Sequence, residues 1–103
     1  MTARLKVTAS VVKGDGERRI EVVGQKAKAL LALVEAGPRG CTALEVSSWA
    51  LRLAAYCHFL NRDHNLNIVC QREDHPGGWH GRHVLLDKVT IVRVVGGEPR
   101  EAA

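Results

Sequence analysis

The stretch Gln25-Lys26-Ala27-Lys28-Ala29-Leu30-Leu31-Ala32-Leu33-Val34-Glu35-Ala36-Gly37-Pro38 decides how the rest of the chain is read. Nearly every residue before Gly37 is a strong helix former. Ala27, Leu30, Leu31 and Val34 recur at i, i+3, i+4 and i+7, which puts them on one face of a helix. Gly37 supplies the left-handed position that closes a helix, and Pro38 blocks its continuation. The spacing predicts a helix over 25–36.

Downstream, Thr42-Ala43-Leu44-Glu45 fits a capping box, in which hydroxyl and carboxylate reciprocally satisfy the first free N–H groups. A short helix is expected from Thr42 to about Val46. Ser47-Ser48 offers a break and a new N-cap, and Trp49 to Arg62 reads as a third helix. Trp49, Leu53, Tyr56 and Leu60 form its inner stripe, widened by Ala50, Ala54 and Cys57. Arg52, Ala55, His58 and Arg62 fall opposite, and Asn65 is the expected C-cap. Ile68 opens a strand to about Arg72. Glu73 to Gly81 has the composition of a loop. Arg82 to Val95 reads as a returning strand, with a bulge or turn at Asp87-Lys88. Upstream, Leu5–Val12 and Arg18–Val23 are strand-like runs around Gly14-Asp15-Gly16, the signature of a β-hairpin.

Composition bounds what such a chain can be. Its 103 residues suit one domain, and the 46% apolar and 25% charged fractions are those of a globular protein. The longest aliphatic run, Ala29 to Val34, is far below the roughly 20 residues that span a bilayer. The segment after Met1 is too short and polar for a signal peptide, so a cytoplasmic protein with no membrane partner is expected. Cys41, Cys57 and Cys70 are odd in number and widely spaced, which points to reduced thiols rather than a disulfide framework. Fifteen Lys and Arg against eleven Asp and Glu leave a net charge of +4. All of that excess lies in residues 1–40, and all five histidines fall between His58 and His83. This balance permits nucleic-acid binding without establishing it.

The element order is hairpin, helix, short helix, longer helix, strand, loop, strand. With Ala29–Val34, Cys41–Val46, Leu51-Arg52-Leu53-Ala54-Ala55, Leu66–Val69 and Gly81–Leu86, the chain resembles the small winged helix-turn-helix domains of phage, prophage and bacterial regulators. The resemblance covers about Gln25 to Val92. It implies an α+β fold with a three-helix core and a C-terminal β-hairpin wing, to which this chain adds an N-terminal β-hairpin. The expected division is a hairpin extension over 1–23, a winged helix-turn-helix domain over 24–95 and a tail over 96–103.

The same resemblance implies double-stranded DNA as partner, with the third helix in the major groove and the wing along the backbone. Carried over by position, Ser47 and Ser48 lie near phosphates at the start of that helix. Arg52, His58 and Arg62 lie on its outward face, where an arginine can pair with guanine O6 and N7. Arg82 on the wing, and Lys26 and Lys28 at the start of the first helix, are candidates for phosphate. Trp79 and His80 sit beside a Pro-Gly-Gly turn, where Trp79 either stacks on the nucleic acid or folds back as a lid. Phe59 is ambiguous between core and surface. Arg18 and Arg19 either extend a basic track or protect an edge strand.

Catalysis is not expected. Cys57 and His58 are helical neighbours about 100° apart and do not face each other. His75, His80 and His83, with Asp74 and Cys70, lack the paired Cys spacing of a zinc site, so neither metal nor cofactor is expected. The N-terminal hairpin, with Val7, Val11, Ile20 and Val22, is expected to serve as an accessory sheet or a homodimer contact. The rival reading is a winged-helix module that binds another protein instead of DNA.

Overall fold

A computed structural model of the chain describes residues 4–42 and 53–96. β1 (Lys6–Lys13) and β2 (Gly16–Val23) pair antiparallel, from Lys6 opposite Val23 to Lys13 opposite Gly16. The two-residue turn places Gly14 first, at φ 57. Glycine there gives a hairpin turn whose twist matches its strands. α1 spans Gln25–Ala36, the segment that the periodicity predicts, and the N–H of Gly37 donates to Leu33 O. A 3-10 turn, Gly37–Arg39, carries the chain to Cys41, which bridges His83.

α2 spans Leu53–His64 and ends at Asn65, a non-glycine residue at φ 52 as expected of the C-cap. The expected short helix at 42–46 and the start of the third helix fall mostly on residues 43–52, outside those described. Among the described residues there are two α-helices, so a three-helix core is not what they display. α2 buries Leu53, Cys57 and Leu60, whereas Ala54, expected to widen the inner stripe, is exposed. Ala54 lies about 100° from Leu53, on the flank of a narrow stripe. α1 buries Ala27, Ala29, Leu30 and Leu33. Its Leu31 and Val34 are only half-buried, because α2 and the sheets flank this helix on different sides.

The second half of the chain departs further from the sequence reading. β3 runs from Ile68 to His75 and β4 from Gly78 to Leu85, paired residue for residue. The expected nine-residue loop is thus mostly strand, and only Pro76-Gly77 turns. Both outer faces of this hairpin are wet, so no apolar alternation marks it as strand. Polar pairs hold it instead: Glu73 lies opposite His80 and Asp74 opposite Trp79.

The segment expected as a returning strand from Arg82 to Val95, with a bulge or turn at Asp87-Lys88, breaks at that place into two strands. The chain leaves β4 at Leu86-Asp87, where Leu86 N–H donates to Asn67 O and Asp87 Oδ2 accepts from Asn67 N–H at 2.7 Å. Lys13 Nζ stands 3.6 Å from the same carboxylate. β5 (Lys88–Val95) then pairs antiparallel with β1, giving a sheet of order β2-β1-β5. The register slips between Thr8 and Ala9, leaving Val92 as the extra residue of a bulge.

The N-terminal hairpin shares the core of the helices. Val7, Ala9 and Val11 of β1 and Val22 of β2 pack in one buried cluster with Leu30 and Leu60. Ile68 at the base of the wing belongs to the same cluster. β5 forms the sheet's outer edge, and its Val92, Val94 and Val95 are exposed.

Candidate nucleic-acid interface

Helical geometry sends Ala54, His58 and Arg62 to one exposed stripe of α2, opposite the buried Leu53, Cys57 and Leu60. Between the two faces sits Phe59, half-buried, and cations gather on it. Arg62 Cζ stands 4.8 Å from the ring centroid and Lys26 Nζ, from the first turn of α1, stands 5.5 Å from it. The His58 ring is 5.7 Å from the same ring, tilted. Arg62 Nε also donates to Asp63 Oδ1 at 2.9 Å. That hydrogen bond, more than the nearby charges of Lys26 and His64, holds the Asp63 carboxyl below its usual range.

The C-terminal end of α2 is tied to the N-terminal sheet. Arg18 of β2 donates to the carbonyls of His64 and, at 3.1 Å, of Asn65. A cation at this end also complements the helix dipole. Burial pushes the His64 imidazole below its ordinary value, and Lys26 and Arg18 nearby add to that. Asn61 fastens the other side: its amide donates to Ile68 O and accepts from Ile68 N–H, each at 2.9 Å. α2 is therefore anchored to both the sheet and the base of the wing.

The wing carries its polar residues on two faces. On one, Glu73 accepts from Arg82 Nε at 2.7 Å and meets His80 Nε2 at 2.8 Å. The His75 and His80 rings stack at 5.1 Å. The Arg82 hydrogen bond, followed by that of His80, holds the Glu73 carboxyl low. On the other face, Arg72 bonds Asp74 and lies 4.9 Å over the ring of Trp79, which is 57% exposed. Trp79 does not fold back as a lid on the helices; Arg72 covers it instead. With the histidines neutral, the two arginines of the wing are balanced by Glu73 and Asp74.

The sequence-predicted residues thus divide into groups. Lys26, His58 and Arg62 come together around Phe59. Trp79, His80 and Arg82 share β4, with Trp79 pointing to the opposite face from the other two. Lys28 lies half-buried on α1, two residues and about 200° around the helix from Lys26. Ser47, Ser48 and Arg52 lie outside the described residues. Sequence reasoning missed two anchors, Arg18 and Asn61, whose partners lie elsewhere in the chain. Among the described residues no three His, Cys, Asp or Glu side chains are gathered to hold a metal ion. Among them, too, no helix is long and apolar enough to cross a membrane.

Two helices, a bridging residue before the second, and a long polar hairpin after it make a helix-and-wing architecture. The comparison with protein families agrees: a model described as a winged helix domain matches residues 19–95, and the chain belongs to that family. The match begins inside β2. No curated protein and no solved structure matches the chain.

Proposed function

We propose that the protein binds double-stranded DNA without catalysis, as a transcriptional or phage-type regulator, with α2 in the major groove and the wing beside the backbone. The observation that carries this reading is the exposed outward face of α2, where Arg62 and His58 stand beside Lys26 of α1. Membership of a winged-helix family supports it, since helix-turn-helix proteins place such a helix in the groove. Lys26, Lys28, Ser47, Ser48 and Arg82 are assigned to phosphates in this reading. Arg52, His58 and Arg62 are assigned to the groove, and Trp79 and His80 to the edge of the contact. Two copies on two half-sites are the expected assembly.

Anisotropy of a labelled mixed-sequence duplex tests the proposal. Between about 50 and 200 mM salt, a protein that neutralises several phosphates loses orders of magnitude in affinity, with a slope of about −0.9 per phosphate. Arg62→Ala and Arg52→Ala should weaken binding, and Arg52→Ala should also relax discrimination by about 1–3 kcal/mol at one base pair. Absence of binding at the lower salt refutes the reading. A second reading, a protein-interaction module, is favoured by the balanced charge of the wing and by exposed Trp79, Leu86 and Val94. A chain that ignores DNA at low salt would direct attention there.

A further inference from the structure

We infer that Phe59 is a positioning residue that holds Lys26 of α1 and Arg62 of α2 together as one clamp for a backbone phosphate of the bound duplex, which moves Arg62 from the groove floor to the backbone and leaves the bases to Arg52 and His58. The phosphate rests on the proposed DNA reading; the pairing of the two cations does not. Two like charges from different helices repel unless something holds them. Here a single ring lies within 5.5 Å of both, inside the range over which an aromatic face attracts a cation. Asp63 bonds Arg62 from one side at 2.9 Å, and Lys26 is near enough to help hold the same carboxyl ionised; among the described residues the ring is what both cations share. The backbone that carries Phe59 is fixed, because neighbouring Leu60 and Cys57 are locked in the core and the end of α2 is fastened by Arg18 and Asn61.

The wing offers no equivalent. Arg82 is committed to Glu73 and Arg72 to Asp74, so a phosphate there competes with carboxylates already in contact. The junction of α1 and α2 therefore supplies the stronger electrostatic contact, and the ring organises it before DNA arrives. Preorganisation of this kind lowers the ordering cost of two long side chains at the moment of binding.

Phe59→Leu keeps the apolar bulk at the half-buried position and removes the aromatic face; Phe59→Trp keeps both. The expected result is about a 5-fold or greater loss of duplex affinity in Phe59→Leu, from two exposed cation–π contacts. The salt slope should flatten by about 0.9, the one phosphate contact that the clamp supplies. Phe59→Trp should match the wild type, and both variants should keep its unfolding midpoint. Without DNA, ring-current displacement of the Lys26 Hε and Arg62 Hδ protons should be present in the wild type and vanish in Phe59→Leu. Unaltered affinity and slope in a folded Phe59→Leu overturn the proposal, and so does absence of the displaced protons in the wild type. Displaced protons in a wild type that binds no duplex overturn the clamp through its ligand, which marks the DNA reading as the part that failed.

Discussion

Replacing Gly40 by alanine probes how the wing is registered on the helices. Gly40 has φ 68 and ψ −175, a region open essentially to glycine, where another residue is strained by about 1–3 kcal/mol. A Cβ there would stand 2.5 Å from the His83 carbonyl oxygen and 2.6 Å from Val84 Cγ2. The carbonyl cannot simply step aside, because it accepts the Cys41 N–H at 2.9 Å while His83 N–H donates to Cys41 O at 2.8 Å. Relief separates the two segments and costs that pair of bonds, about 0.5–1.5 kcal/mol each. The combined loss is about 4 kcal/mol, a large share of the roughly 5–15 kcal/mol that holds a domain folded. Gly37→Ala is the control. Its φ is also positive, 61, but a Cβ would meet nothing within 4 Å. Its ψ of −141 puts it in much the same region as Gly40, so only the backbone strain of about 1–3 kcal/mol applies there. Urea unfolding followed by far-UV circular dichroism separates the two, provided that the m-values agree. Equal losses in both variants would refute the reasoning, since the close approach to β4 would then contribute nothing.

Two further outcomes follow from the same geometry. Asn61→Ala should cost about 2 kcal/mol in the same denaturation experiment, because it removes two hydrogen bonds and leaves the half-buried Ile68 backbone groups without them. Acid should weaken the fold: burial lowers the His83 and His64 pKa values below the ordinary 6.5, so the unfolded chain takes up protons first. Stability then falls as pH drops below about 6.5, and a melting series from pH 7.5 to 5 should flatten in His83→Gln. Glu73, held ionised by Arg82, contributes no change across that interval.

Local signals account for what was legible in the sequence. α1 declares itself because propensity, period and a Gly-Pro stop agree over Gln25 to Pro38. The first hairpin and the Asn65 cap rest likewise on short-range turn chemistry. The wing is misjudged because Glu73, Asp74, His75 and His80 are poor strand formers on wet faces, and it is their cross-strand partners that keep them extended. β5 is misassigned for a different reason: nothing between Arg82 and Val95 says that its second half pairs with β1 instead of continuing β4. On α2, helix-face arithmetic puts His58 and Arg62 on the outer side, and both are exposed. It left Phe59 open because one of the groups on the ring, Lys26, comes from α1, which helical spacing within α2 does not describe. Arg18 reads as part of a basic track or as edge-strand protection, and not as an anchor, for the same reason, since its acceptors lie 46 and 47 residues away.

The middle position of β1 has a consequence for how the chain reaches this state. Its neighbour β2 follows at once, but β5 lies about 80 residues later. At ribosomal rates of about 5–20 residues per second, the hairpin waits roughly 4–16 s for its third strand. A two-stranded hairpin alone is at best marginal in water. Until β5 emerges, the inner valines of β1 and one whole hydrogen-bonding edge stand open to any other nascent strand. Closing so distant a pair is also the slow kind of contact. β5 thus completes β1 from far along the chain, and the interval between the two is one in which the polypeptide is exposed to aggregation.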